Sequence, residues 1–560
     1  MYVLILNSKE HTLSILIIAI IAQVEFFAYP ENPGRGLTDR DYPIIIEGKW
    51  QKGGFRKMNK RQKGAVLSYI NTFVQIFVSL VYVPILLRSI GDQEYGLYQL
   101  LASIIAYLSV METSLSASIM RFYCKYKSLG QTEEMENTLG TSRLIFWGIT
   151  AVIAAVTAVI YVLFEPVFGA SLGPGEIREG KIILILLMIN VMININNYNY
   201  VAVINANEQF AFLKLLGIVS QLVQPLAVLL VIRHAPYALT VVIIQVTVNL
   251  IVAVLRQWYA RVKLCARVKL HRLDKELVRS MLIFSAGIIL AAAADQIFWK
   301  TDQVILGKMY GTAVVAVYSI GSQIYLAYMP LGMAVSSVFM PRLSGIYENE
   351  HNMAKISELF IKVGRITCYV LALVLSGFFL YGKEFISWWA GDGMTEAYYV
   401  AIIVMVPFTI DLIQNLGLTI LQVVDKYAFR AKIYFLVAVL NILTTILLAK
   451  QFAGIGAAVS TGVSMFVGSG LIMNWYYGKK IGLNIAGFWK NIAPIALGTA
   501  AAAALGFAVK MIFPAESIFS LILQILLYCI IYAGAMWIGC LNQYEREIVR
   551  KILGKLKRRH

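Results

Sequence analysis

Apolar runs of about twenty residues, separated by short polar connections, recur along nearly the whole chain from residue 66 onward. An α-helix needs about 20 apolar residues to cross a hydrocarbon layer of about 30 Å. The pattern predicts fourteen such helices, near 66–87, 97–120, 143–164, 182–204, 211–232, 238–258, 281–303, 312–338, 361–381, 398–421, 431–449, 454–476, 492–513 and 517–540. The seventh is interrupted by Asp295, Lys300 and Asp302. The expected fold class is an all-α integral membrane protein.

Composition agrees. Of 560 residues, 59% are hydrophobic and 14% charged, against about 45–50% and about 25% in soluble domains. The formal net charge of +18 would suggest nucleic acid in a soluble chain, but here the placement of the cations decides their meaning. Connections on one side hold 35 Lys and Arg, and those on the other hold 8. Cations near span ends stay on the cytoplasmic side, so both termini are expected inside. The densest block, "RQWYARVKLCARVKLHRLDKELVR" (256–279), joins spans six and seven. Orientation and contact with anionic membrane lipids account for it, with no nucleic-acid partner. Five scattered cysteines lack CxxC spacing, the five histidines lie outside span centres, and there is no phosphate-binding Gly-Lys loop and no HExxH. No catalytic residue, metal site or cofactor is expected.

The chain also repeats. Setting residue n against n+220 pairs Ile85 with Ile305, Leu86 with Leu306, Arg88 with Lys308, Gly91 with Gly311 and Tyr98 with Tyr318. Six spans separate the paired segments, an even number, so the halves are expected to be parallel repeats. The predicted organisation is a six-helix bundle over 58–258, a basic loop at 259–280, a second six-helix bundle over 281–476, two further helices in 477–540 and a basic tail at 541–560.

Three strings, in this order, carry a family resemblance: "RSIGDQEYGLY" (88–98), "DQIFWKTDQVILGKMYG" (295–311) and "MPRLS" (340–344). With fourteen spans and the basic loop, the chain from Met58 onward resembles bacterial polysaccharide flippases of the multidrug, oligosaccharidyl-lipid and polysaccharide exporter superfamily. The resemblance implies a cytoplasmic-membrane flippase that moves an undecaprenyl-(pyro)phosphate-linked oligosaccharide repeat unit by alternating access. It implies a polysaccharide polymerase and other assembly proteins as partners. Alternatives are a multidrug or cation antiporter, or a peptidoglycan-precursor flippase, of the same superfamily. A membrane polymerase or ligase would need a large external loop, and the longest outward loops expected here, around 165–181 and 382–397, are short. With no cofactor, energy would come from an ion gradient, the membrane potential or glycan consumption on the far side.

A flippase must move a charged head group through apolar surroundings, so intramembrane polar residues are its candidate machinery. Buried charges cost about 2.5–3.5 kcal/mol each on insertion scales and face a cavity or a partner. Arg88, Arg121 and Lys300 are candidate phosphate or glycan contacts, although Arg88 and Arg121 end spans and Arg there commonly snorkels to the interface. Asp295 and Asp302 share a helix face, seven residues apart, with Lys300 to the side; with Glu112 and Asp411 they are candidates for ion coupling or for a charge network. In "INVMININNYNY" (189–200), Asn190, Asn194 and Asn197 form one helical stripe. It is read either as glycan-binding or, favoured, as helix-to-helix glue.

Residues 1–57 fit none of this. "LSILIIAIIAQVEFF" (13–27) is short for a span and is interrupted by Gln23 and Glu25. Lys52-Gly53-Gly54 can be encoded with AGGAGG shortly before Met58, so the true start is expected at Met58, with 1–57 a non-native or disordered extension.

Overall fold

A computed structural model describes residues 60–336, 339–514, 517–543, 545–547 and 550. The expected extension at 1–57, the start at Met58 and the tail 551–560 lie outside the described residues. What is described is helical almost throughout.

Among the described residues, eleven helical segments are long and apolar enough to cross a membrane. Two of these are double. Lys60–Ser128 breaks at Gly91 (φ 83°, ψ 171°) into α1 (60–90) and α2 (92–128). Tyr427–Met465 breaks at Ala453 (φ 46°, ψ −127°), giving α11 (427–452) and α12, which starts at 454 and runs on to Ile481. Between them lie α3 (Thr132–Phe168), α4 (Pro174–Ala206), α5 (Phe210–Val231), α6 (Ala238–Trp258), α7 (Lys275–Tyr310), α8 (Thr312–Ser336), α9 (Met353–Ala390) and α10 (Glu396–Ile413, resumed at Leu416–Val423). The chain continues as α13 (Ile485–Ile512) and α14 (Ile518–Ala535). Counting the two split segments separately and adding the 36-residue α7, which is not among the eleven, brings the described helices of spanning length to the expected fourteen.

Starts are set by local chemistry. The Asp274 carboxylate accepts from the Glu276 and Leu277 amides, Asn352 from Lys355, Asn484 from Gly487 and Ser517 from Ser520, each satisfying an amide with no partner in the first turn. The outward connections are shorter than expected, at 169–173 and 391–395, because the helices continue past the apolar stretch. The 37 residues of α3 extend about 55 Å at 1.5 Å per residue, well beyond a bilayer core.

The repeat is written in the backbone. Left-handed residues recur in pairs, Gly91 with Gly311, Gly130 with His351 and Glu208 with Asp425, at spacings of 220, 221 and 217. Each ends a helix at the matching place in its half. Gly91 (φ 83°, ψ 171°) and Gly311 (φ 81°, ψ −171°) are nearly identical in conformation, one that glycine adopts without steric cost.

The helices pack as two units. One holds residues 60–320 with 438–461, so α7 and the α11–α12 turn belong with the first six helices; the other holds 321–437 with the chain from 462 onward. In the first, α7 and α8 press on α2. A Cβ on Gly96 would overlap the Thr312 carbonyl oxygen, and one on Gly307 would sit 2.6 Å from Leu100 Cδ1. In the second, Gly364 of α9 lies against the Phe488 ring of α13. There, Arg365 and Glu545 form a buried ion pair.

Candidate functional site

The first unit buries a polar cluster around one carboxylate. Asp302, on α7, is 1% exposed. Tyr318 Oη and Thr461 Oγ1 donate to its Oδ2 at 2.5 and 2.6 Å, and Thr445 Oγ1 donates to Oδ1 at 2.9 Å. Asn441, one turn before Thr445, donates from Nδ2 to Thr461 Oγ1 at 3.1 Å. Beside them, Gln303 Nε2 donates to Ser319 Oγ at 3.1 Å, its carbonyl accepts from Ser103, and Tyr107 pairs with Thr301 at 2.7 Å.

This chemistry is specific. Three neutral hydroxyls surround Asp302, and no Lys or Arg pairs with it among the described residues. A carboxylate is costly in such a place unless a proton or a cation neutralises it. Its two oxygens, the Thr445, Thr461 and Tyr318 hydroxyls and the Asn441 amide carbonyl form an all-oxygen set, which suits a hard cation. One negative charge balances a monovalent ion or a proton. Among the described residues no cluster of three His, Cys, Asp or Glu side chains offers a site for a transition metal.

The other expected residues scatter. Asp295 shares the face of Asp302 but is exposed, two turns back along α7. Lys300 is half-buried and has no ion-pair partner among the described residues. Arg88 is exposed near the end of α1. The exposed Arg121 guanidinium lies 4.8 Å from the Phe284 ring centroid and 5.9 Å from that of Phe122. Glu112 lies on α2, and its side chain is outside the described residues.

The asparagine stripe is occupied by helix contacts. Asn249 of α6 donates to Asn190 Oδ1 at 2.8 Å, and Asn197 Nδ2 donates to the Ala253 carbonyl of α6 at 2.7 Å. Asn199 accepts from Ser142 of α3 at 2.5 Å. Asn194 is half-buried on the same helix. Asn197 Oδ1 is buried with no hydrogen-bond partner among the described residues.

In the second unit, Asp411 has company that sequence reasoning missed. Arg430, counted along the chain as a loop cation, approaches Asp411 Oδ1 at 3.8 Å and stacks over the Tyr434 ring at 4.3 Å, and Tyr434 Oη donates to the same carboxylate at 3.2 Å. Gln414, next along the helix, donates to Asn474 at 2.8 Å. Arg365 was missed in the same way. Its guanidinium meets both Glu545 oxygens at 2.7 and 2.8 Å, the Asn491 carbonyl at 2.6 Å and the Cys540 carbonyl at 2.8 Å. That arrangement ties the segment after α14 to α9. The Thr445 and Thr461 hydroxyls carried no signal in sequence, being ordinary residues of apolar helices.

Comparison with known proteins places this geometry. Residues 61–347 match the family model described as polysaccharide biosynthesis protein. The chain is 25% identical over 334 residues to the capsular polysaccharide biosynthesis protein CapF of Staphylococcus aureus, covering 58% of this chain and 80% of that one. Its fold is similar to a solved structure of the lipid II flippase MurJ in an inward closed conformation, with TM-score 0.65, 14% identity and coverage of 84% of this chain and 97% of that one. It is also similar to an inward-facing multidrug resistance MATE family transporter of the MOP superfamily, with TM-score 0.59, 10% identity and coverage of 76% and 99%. At these identities the two structures share the all-helical, multi-pass membrane fold.

Proposed function

The chain belongs to the polysaccharide biosynthesis protein family, and from that premise we propose that it is an ion-coupled flippase rather than an enzyme. It would carry an undecaprenyl-(pyro)phosphate-linked oligosaccharide repeat unit across the bacterial cytoplasmic membrane by alternating access. The bias of 35 cations to 8 supports both termini being cytoplasmic. The observation that carries the transport reading is Asp302, a buried carboxylate held by three hydroxyls and paired with no Lys or Arg among the described residues.

The mechanism follows from charge. The prenyl tail stays in lipid while phosphate and sugars must cross, so the protein supplies polar surroundings in place of water. Binding a proton or a monovalent cation at Asp302 neutralises the carboxylate and stabilises the arrangement that joins α7 and α8 to the α11–α12 turn. Release on the other side destabilises that arrangement. A unit charge crossing 100 mV gains about 2.3 kcal/mol, enough to bias a two-state exchange by about fiftyfold. Lys300, half-buried on the same helix, is the proposed contact for the anionic head group.

Deleting the gene in its host and complementing with wild type or Asp302→Asn tests the reading. Expected on deletion is loss of a surface polymer with lipid-linked repeat units accumulating inside, restored by wild type and not by Asp302→Asn. No accumulation on deletion would sink it. The likeness to a MATE transporter keeps an antiporter as the second reading; that reading predicts drug sensitivity on deletion with surface polymer intact.

A further inference from the structure

A groove of about 500 Å³ lies between α3, the amino-terminal end of α7 and the connection that precedes it. That is within the range of about 300–1,000 Å³ typical of small-ligand sites. Its wall includes Leu144, Leu273, Leu282 and Ile283, which are 48, 57, 44 and 64% exposed, and its rim carries Lys275 and Arg279. Arg143, next to Leu144, lies 5.9 Å from the ring of Trp147, which is itself 62% exposed. An aromatic and a cation together mark the membrane interface.

The wall is built rather than loose. Arg272 donates to Glu134 Oε1 at 2.7 Å, His271 Nε2 meets Glu136 Oε2 at 2.8 Å, and the backbone amides of His271 and Arg272 both donate to Asn137 Oδ1 at 3.1 Å. Gly140 admits the connection: a Cβ there would meet the Lys269 carbonyl and Leu270 Cα at 2.5 and 2.6 Å.

These contacts use the charge of Arg272 and leave that of Lys275 and Arg279. Neither has an acidic partner among the described residues, and four residues apart on α7 they share one face. Lys275 is the first residue of α7, where the helix dipole disfavours a cation. Folding therefore supplies no reason for it.

We propose that this groove binds one anionic phospholipid of the surrounding membrane, its phosphate at Lys275 and Arg279 and an acyl chain along Leu144, Leu273, Leu282 and Ile283. Unpaired cations above an exposed apolar wall at an interface complement a molecule that is anionic at one end and hydrocarbon at the other. The site is independent of what the chain transports.

The test measures lipid retention by native mass spectrometry on the full-length protein in detergent, titrated with phosphatidylglycerol or phosphatidylcholine. Expected is binding of phosphatidylglycerol at least about tenfold tighter than phosphatidylcholine. The Lys275→Gln/Arg279→Gln variant should lose at least about tenfold, since each cation near anionic lipid contributes about fivefold. Both residues are exposed, so thermal unfolding in phosphatidylcholine should be unchanged; if it is not, Leu273→Ser, which keeps both cations, should still weaken phosphatidylglycerol binding. Equal binding of the two lipids, wild-type binding by the double variant, or displacement by inorganic phosphate would overturn the proposal. Preferential displacement by undecaprenyl phosphate would overturn it in favour of the carrier lipid.

Discussion

Two buried carboxylates show how differently the same group can be used. Glu545 meets a guanidinium through both its oxygens, whereas Asp302, among the described residues, meets the hydroxyls of Tyr318, Thr445 and Thr461. Arg365→Ala would strand the Glu545 charge and is expected to cost about 3–5 kcal/mol, read as a lowered unfolding midpoint. An Arg365→Met/Glu545→Leu double variant should recover most of that loss, because an uncompensated charge costs more than the missing pair. Asp302→Asn, by contrast, keeps an acceptor for the hydroxyls and removes the charge. It should unfold close to wild type, within about 1–2 kcal/mol, while losing transport and any stabilisation by added sodium or protons. Stabilisation by the ion persisting in Asp302→Asn would remove Asp302 from the coupling role.

At the scale of elements, backbone approach decides where helices can sit. Gly96→Ala would drive a methyl group into the Thr312 carbonyl and separate α2 from the α7–α8 turn; overpacking of this kind costs about 1–3 kcal/mol. Gly148→Ala, on α3 with nothing within 4 Å of its Cβ, is the control and should be neutral or stabilising by up to about 1 kcal/mol. The turn between α11 and α12 places Thr445 and Thr461 beside Asp302 through Ala453, at φ 46° and ψ −127°. An alanine held there stores about 1–3 kcal/mol. Ala453→Gly is therefore expected to raise the unfolding midpoint, and a lowered one would show that Ala453 is not strained.

For the whole molecule, the cation bias makes a prediction that needs no substrate. Cys265 is an exposed thiol in the connection between α6 and α7, on the side expected to be cytoplasmic. A membrane-impermeant maleimide should label it in inverted vesicles and leave it unlabelled in intact cells; the opposite result would reverse the orientation of every helix. The number of spanning helices, the excess of cations on one side and the 220-residue repeat were all legible along the chain, because hydrophobic length, charge placement and self-similarity are properties of a line. Asp302 was legible too, as a charge in a span. What surrounds it was not. Thr445 and Thr461 lie 143 and 159 residues away, and the Arg365–Glu545 pair spans 180. In sequence, a threonine facing a carboxylate looks the same as one facing lipid, and an arginine near a helix end looks like any other interfacial cation. Apolar helices of similar length are interchangeable by hydropathy, so only side-by-side packing decided which would meet, tying the asparagine stripe to α6 and Asn199 to α3, and leaving Asp302 among hydroxyls.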